Sequence, residues 1–290
     1  MTGFEGATFG YAAVPGGRLH YAEAGQGEPL LCLHATPRSH RSFRNLLPLF
    51  AAKHRAIAVD APGFGNSSDL PVPTTMESVA DRLVAFLDAM RIERASVFGL
   101  HTGNKLAVTM ADRHPKRIRA LILAGHTHSL IADPKERDSA IHALSDHYPP
   151  PYAEVPGGAQ HIRDWVSAHA EAQKLWWTQN LISSATIEKK DIEYNEARVV
   201  DYLLGRRSIR AVYEAIFQHD FNAALARVDT PALVLELLAP DEAHFGEQAP
   251  KVCALMKNAK PARVPGGDRS WLEKHPDAIA APVLQFLSSV

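Results

Sequence analysis

Two near-continuous apolar runs, Ala95 to Gly99 and Ile118 to Ala124, flank a segment from about Thr102 to His114 that Pro115 closes. Runs this short and this apolar suit strands buried on both faces, and a proline just past a periodic stretch stops a helix. Strand, helix and strand in that order make a parallel unit, and a parallel sheet needs helices over both of its faces.

The same rhythm runs through the rest of the chain. Ala7 to Val14 and Arg18 to Ala24, separated by Pro15-Gly16-Gly17, predict an antiparallel hairpin. Pro29 to His34 and Arg55 to Asp60 predict strands, joined by a helical segment carrying Phe43, Leu46, Leu47, Leu49 and Phe50. Thr74 and Glu77 have capping-box spacing ahead of Val79, Leu83, Phe86, Leu87 and Met90, which recur at helical intervals. After residue 225 come a strand at Pro231 to Leu238, a helix near Glu247 to Met256, a strand at Ala262 to Pro265 and a helix from about Trp271 to Leu287. Between residues 130 and 225 no β-type run occurs, and Trp165, Trp176 and Trp177 stand among helical patterns. The chain therefore reads as an α/β core, residues 1–129 and 226–290, interrupted by a helical cap, residues 130–225.

Charge and composition remove whole classes of function. With 31 Lys plus Arg against 32 Asp plus Glu, the formal charge is -1, which gives no global pull toward nucleic acid or an anionic membrane. Hydrophobic residues at 46% and charged residues at 22% are ordinary globular usage, so disorder is not expected. The 2 cysteines, Cys32 and Cys253, lie far apart in apolar surroundings and suggest neither a disulfide framework nor a thiolate metal site. The beginning of the chain lacks a basic patch followed by an apolar core, and no run approaches a membrane span. A soluble, reducing, cytoplasmic setting is the expectation.

In an open parallel sheet the loops after the strand C-termini build the site. Those loops read His34-Ala35-Thr36-Pro37, Asp60-Ala61-Pro62-Gly63-Phe64-Gly65-Asn66-Ser67 and Gly99-Leu100-His101-Thr102-Gly103. Together they resemble the α/β-hydrolase family, particularly its cap-bearing members related to epoxide hydrolases and haloalkane dehalogenases. The first is similar to that family's H-G-x-P loop, the second to its D-x-P-G-x-G segment, and the third occupies its nucleophile elbow between strand and helix. The resemblance spans nearly the whole chain except the cap. It implies an α/β-hydrolase fold, with a mostly parallel central sheet flanked by helices and a helical cap insertion.

The chain departs from that family where the chemistry sits. His101 stands where the family places Ser, Asp or Cys, and Asp268, after Gly266 and Gly267, stands where it usually carries a catalytic His. Asp241, in Ala239-Pro240-Asp241-Glu242, falls where its orienting carboxylate often lies. An oxygen or thiol nucleophile beside an imidazole base is therefore not available at these positions. His101 with Asp268 or Asp241 instead supplies an imidazole base and a carboxylate to orient it, acting on water or on an acidic C-H or O-H of a substrate. If the family geometry holds, the backbone N-H groups of Thr36 and Thr102 point into the same space as an oxyanion hole. Ala35 replaces the family's glycine there, which matters if the backbone needs positive φ.

The leading expectation is thus a cofactor-independent enzyme acting on a small, partly apolar organic molecule, by hydrolysis or lyase-type chemistry at an atypical triad. Its partner is a small-molecule substrate, and the oligomeric state is open. The alternative is a non-catalytic small-molecule binder on a degenerate hydrolase scaffold. A third reading is a metal-assisted hydrolase, since His34, His101, His126, His128, Asp241 and Asp268 could share one rim, although no compact ligand motif is present. On the leading reading His34 braces its loop and lines the site, His126 and His128 line it too or else hydrogen-bond at the cap hinge, and the cap aromatics Trp165, Trp176 and Trp177 pack on the core and line the pocket.

Overall fold

A computed structural model describes residues 4–126, 135, 139, 189–237, 246–267 and 270–290. Its strands are β1 (Thr8–Val14), β2 (Gly17–Ala24), β3 (Pro29–Leu33), β4 (Arg55–Val59), β5 (Ala95–Leu100), β6 (Ile118–Ala124), β7 (Ala232–Glu236) and β8 (Ala259–Arg263). They form one 8-stranded sheet in the order β1-β2-β4-β3-β5-β6-β7-β8. The hairpin strands pair antiparallel, β2 also runs antiparallel to β4, and every pair from β4 through β3 to β8 is parallel.

The helices are α1 (Leu47–Ala51), α2 (Met76–Ala89), α3 (Thr102–Arg113), α4 (Lys189–Gly205), α5 (Ile209–Gln218), α6 (Phe221–Arg227), α7 (Ala249–Leu255), α8 (Trp271–Lys274) and α9 (Pro276–Leu287). The central strands of the sheet are buried on both sides. Leu31, Leu33, Val97, Leu121 and Val234 face a layer with Leu83, Phe86, Leu106, Val212 and Val252. Their neighbours Leu30, Cys32, Phe98, Ile122 and Leu235 face a second layer with Phe50, Leu272 and Val283. All six residues of β5 are buried, which is why its sequence reads as an apolar run with no alternation.

Three expectations shift. The capping box of α2 is made by Thr75 and Ser78, with Thr75 Oγ1 accepting from the Ser78 amide and Ser78 Oγ accepting from the Thr75 amide, both at 3.0 Å. Thr74 instead spends its hydroxyl on the Pro71 carbonyl, 2.7 Å away, in the preceding turn. The segment expected to be helical from Phe43 to Phe50 divides into a 3-10 turn, His40–Phe43, and α1. The last helix breaks at His275, held at φ -137 because the proline that follows disfavours helical backbone in the residue before it. Of the segment read as a cap, the described part from residue 189 onward is helical.

Candidate active site

The C-terminal ends of β3, β4, β5 and β6 meet around one residue. His101 follows β5 and N-caps α3 with φ 50 and ψ -105, and it is 8% exposed. Left-handed backbone costs a non-glycine residue about 1–2 kcal/mol. The surroundings hold it there: the His101 amide donates to the Ala124 carbonyl and the His101 carbonyl accepts from the Asn104 amide, both at 3.0 Å. The turn also requires glycines. A Cβ on Gly99 would lie 2.5 Å from the Gly103 carbonyl carbon, and one on Gly103 would collide with the Leu33 carbonyl. On the far side, Gly125 leaves space for the imidazole, since a Cβ there would sit 2.7 Å from His101 Nε2.

The end of β6 is locked by Asn104. Its side-chain oxygen accepts from the Ala124 amide at 3.0 Å, and its Nδ2 donates to the carbonyls of Ala124 and Gly125 at 3.0 and 2.5 Å. His126 turns back onto this lock, with Nε2 donating to the Leu123 carbonyl at 3.0 Å and Nδ1 facing Asn104 Nδ2 at 3.5 Å. Burial pushes its pKa down to about 4, reinforced by the nearby Lys105 and opposed only by the Leu123 hydrogen bond. His126 is thus a neutral brace.

His34 braces the facing loop. It is buried, its Nδ1 donates to the Ala35 carbonyl at 2.9 Å, and its Nε2 accepts from the Ala61 amide at 2.9 Å. Burial holds the imidazole below its ordinary pKa against the pull of Asp60. Ala35 is not among the described non-glycine residues with positive φ, which are Phe4, Arg91 and His101, so its replacement of glycine introduces no left-handed strain. The Thr36 amide points across to the elbow and donates to Thr102 Oγ1 at 3.3 Å. Thr102 opens α3, so its own N-H has no intrahelical acceptor.

His34, Thr36 and Thr102 border a small, narrow pocket completed by Pro62, Phe64, Thr74, Met76, Leu106 and Val212. Apart from the three threonines and the histidine, these side chains offer no hydrogen-bonding groups, and the Thr74 hydroxyl is already given to the Pro71 carbonyl. The pocket suits an apolar substituent next to a polar, reactive end.

Sequence reasoning missed a cluster of buried polar groups behind this loop. Asp60 Oδ2 lies 2.9 Å from His20 Nδ1 and Oδ1 lies 2.8 Å from His40 Nδ1, while the amides of His40 and Asn66 donate to the same carboxylate at 2.7 and 3.0 Å. Burial alone would raise the Asp60 pKa, but the two imidazole hydrogen bonds outweigh it and hold the carboxyl well below the usual range. An ionised carboxylate only accepts, so both Nδ1 atoms donate. These three residues form the group among the described residues close enough to share a metal ion, and it lies apart from the rim set of the metal reading. With four donors already on Asp60 and both Nδ1 atoms protonated, the cluster is bonded as a loop brace. Asp241, Asp268, His128, Trp165, Trp176 and Trp177 lie outside the described residues.

Also missed were Arg38, Asp201 and Glu273, three charged side chains that meet in the interior. A signal existed for one of them, since Asp201 interrupts the apolar stretch from Val199 to Leu204.

Residues 28–160 match a family model described as the alpha/beta hydrolase fold. Over 117 residues the chain is 39% identical to bifunctional epoxide hydrolase 2 of Rattus norvegicus, a match covering 39% of this chain and 21% of that protein. Over 113 residues it is 34% identical to the 2-hydroxy-6-oxo-6-phenylhexa-2,4-dienoate hydrolase of Comamonas testosteroni, covering 37% of this chain and 39% of that one. The chain thus matches well under two thirds of the length of these curated relatives. A solved hydrolase structure from Pseudomonas aeruginosa superposes with a TM-score of 0.70 at 22% identity, covering 97% of this chain and 98% of that chain.

Proposed function

On the α/β-hydrolase fold that this chain adopts, we propose a cofactor-independent enzyme that cleaves small, partly apolar organic molecules, with His101 as its general base. The observation that carries this reading is the backbone of His101. At φ 50 and ψ -105 it keeps the strained elbow geometry, which lifts one side chain to the site end of the sheet. A site that had lost its chemistry would gain stability from glycine at that position.

In this mechanism the imidazole takes a proton from a water as its oxygen bonds to the electrophilic carbon of an ester or epoxide. The imidazolium then returns the proton to the departing oxygen. Charge that develops on a carbonyl oxygen meets the N-H groups of Thr36 and Thr102. Asp268 or Asp241 orients the imidazole and stabilises its cation. An acidic C-H or O-H in place of water would give the lyase-type variant of the same proton transfer. The apolar pocket beside the threonines favours substrates with a compact hydrocarbon substituent. The segment 130–225 serves as the cap that encloses them. The similarity to an epoxide hydrolase and to a dienoate hydrolase supports hydrolysis as the reaction class.

A mass-spectrometric turnover screen tests the reading, with wild type beside His101→Ala on small esters, epoxides, haloacids, β-diketones and cyanohydrins. Product from wild type alone is expected, with solvent oxygen-18 appearing in it for a hydrolysis. Full activity in His101→Ala would overturn the assignment. No product from either protein, with panel compounds still raising the melting temperature, would establish the non-catalytic binder instead.

A further inference from the structure

Three segments far apart in sequence converge on one half-buried guanidinium. Arg38 Nε donates to Asp201 Oδ2 at 2.9 Å, and its Nη2 donates to Glu273 Oε1 at 2.6 Å. Asp201 comes from α4 and Glu273 from α8, and both carboxylates are buried. The surrounding chain reinforces each contact. Asp201 Oδ1 accepts from Ser39 Oγ at 2.5 Å and from Arg41 Nη1 at 3.3 Å. Arg44 Nη2 lies 3.4 Å from Glu273 Oε2, and Asn45 Nδ2 donates to the Glu273 carbonyl at 2.7 Å. A buried ion network of this kind is weak evidence for net stability, because desolvation offsets most of the attraction, but it fixes register strongly.

What it fixes here is one peptide plane. The Ala35 carbonyl accepts from His34 Nδ1 at 2.9 Å and from the Arg38 amide at 2.7 Å. The Thr36 N-H belongs to the same rigid, trans-related peptide unit, so holding the carbonyl on one side aims the N-H to the other, toward Thr102. His34 is anchored in the core through Ala61. The other donor, Arg38, is anchored by α4 and α8.

We propose that Arg38, Asp201 and Glu273 are positioning residues through which docking of α4 sets the aim of the Thr36 N-H, so that the oxyanion site is complete only with α4 seated. The catalytic part of this inference rests on the reading of Thr36 as an oxyanion donor; the structural part does not. Asp201 touches no reacting atom and acts through Arg38.

The experiment has two arms on the full chain, using wild type, Asp201→Asn, Arg38→Met and Arg38→Lys. In the first, hydrogen exchange is followed by mass spectrometry on protein alone. Exchange in the peptide spanning residues 34–44 should quicken about tenfold in Asp201→Asn and Arg38→Met, with β5 and β6 unchanged. Arg38→Lys, which keeps the charge but not the planar fork that Nε and Nη2 present to the two carboxylates, should fall between. In the second arm, turnover of p-nitrophenyl acetate should lose about 10–100-fold in kcat at nearly constant KM, as expected for a misaimed transition-state donor. Unchanged exchange at 34–44 overturns the proposal, and so does an equal rise in every segment, which would mark a purely structural role. Should wild type not turn over the ester, the functional reading fails for that substrate and the exchange arm still decides the clasp.

Discussion

The Thr36 N-H reaches across the site to the hydroxyl of Thr102, 3.3 Å away, although 66 positions separate the two residues. At that length the bond is near the limit of useful geometry. On the proposed mechanism a substrate oxygen takes the place of this bond, which leaves the Thr102 proton available to donate. Thr102→Val should therefore cost turnover about 10–100-fold, because the half-buried Thr36 amide would face a methyl group in the resting protein and one donor would vanish from the transition state. Thr102→Ser should stay within about threefold of wild type, since the hydroxyl is kept. Steady-state kinetics of the three proteins decide it, and equal activity in all of them removes the hydroxyl from the mechanism.

Strain at His101 predicts a separation of stability from activity. His101→Gly and His101→Ala should both be inactive. The glycine variant should be the more stable of the pair by about 1 kcal/mol, because only glycine accepts φ 50 without penalty. Chemical denaturation measures the difference, and equal stability would mean that the elbow relaxes when the imidazole is removed.

The apolar pocket sets a size limit on the substrate. Val212→Phe fills the α5 side of the space beside Thr36 and Thr102. Each buried methylene contributes about 0.8 kcal/mol, so losing room for two of them should lower the butyrate-to-acetate ratio of kcat/KM by about tenfold. An unchanged ratio would place the acyl chain elsewhere.

Acid should destabilise the fold in two stages. His126 has its pKa lowered to about 4 in the folded chain, against ~6.5 when unfolded. Its contribution is therefore full above pH ~6.5 and is lost as pH falls toward 4, at about 1.4 kcal/mol per pH unit. Asp60 acts further down, where the unfolded carboxyl takes a proton near pH ~4 and the folded one resists it. In His126→Gln the slope of unfolding free energy between pH 6 and 4.5 should flatten by roughly one proton, checked by denaturant titrations across that range. A slope equal to wild type would assign the acid sensitivity elsewhere.

Much of the fold was legible because a parallel sheet writes itself locally. The runs at Ala95 and Ile118, the hairpin turn at Pro15 to Gly17, and the glycines at 99 and 103 each report a constraint within a few residues. Where local signals competed, tertiary contacts chose. Thr74 and Thr75 are equally good caps by type, and the Pro71 carbonyl drew the Thr74 hydroxyl away. The single final helix was divided by Pro276, whose effect on the residue before it was readable but was outweighed by the apolar periodicity.

The site was legible only along the chain. The sequence by itself determined that the strand ends carry His34, Thr36, His101, Thr102 and His126, because each lies directly after or at the end of a buried run. Tertiary structure alone decided their roles. It turned His126 and His34 into neutral braces by giving both ring nitrogens partners. It left His101 on the strained turn, and it brought Asp201 and Glu273 to Arg38 across more than half the chain. The physical reason is one of range. Hydrophobic periodicity and turn chemistry act over a few residues, whereas hydrogen-bond partners and the burial that shifts a pKa depend on segments that only folding brings together.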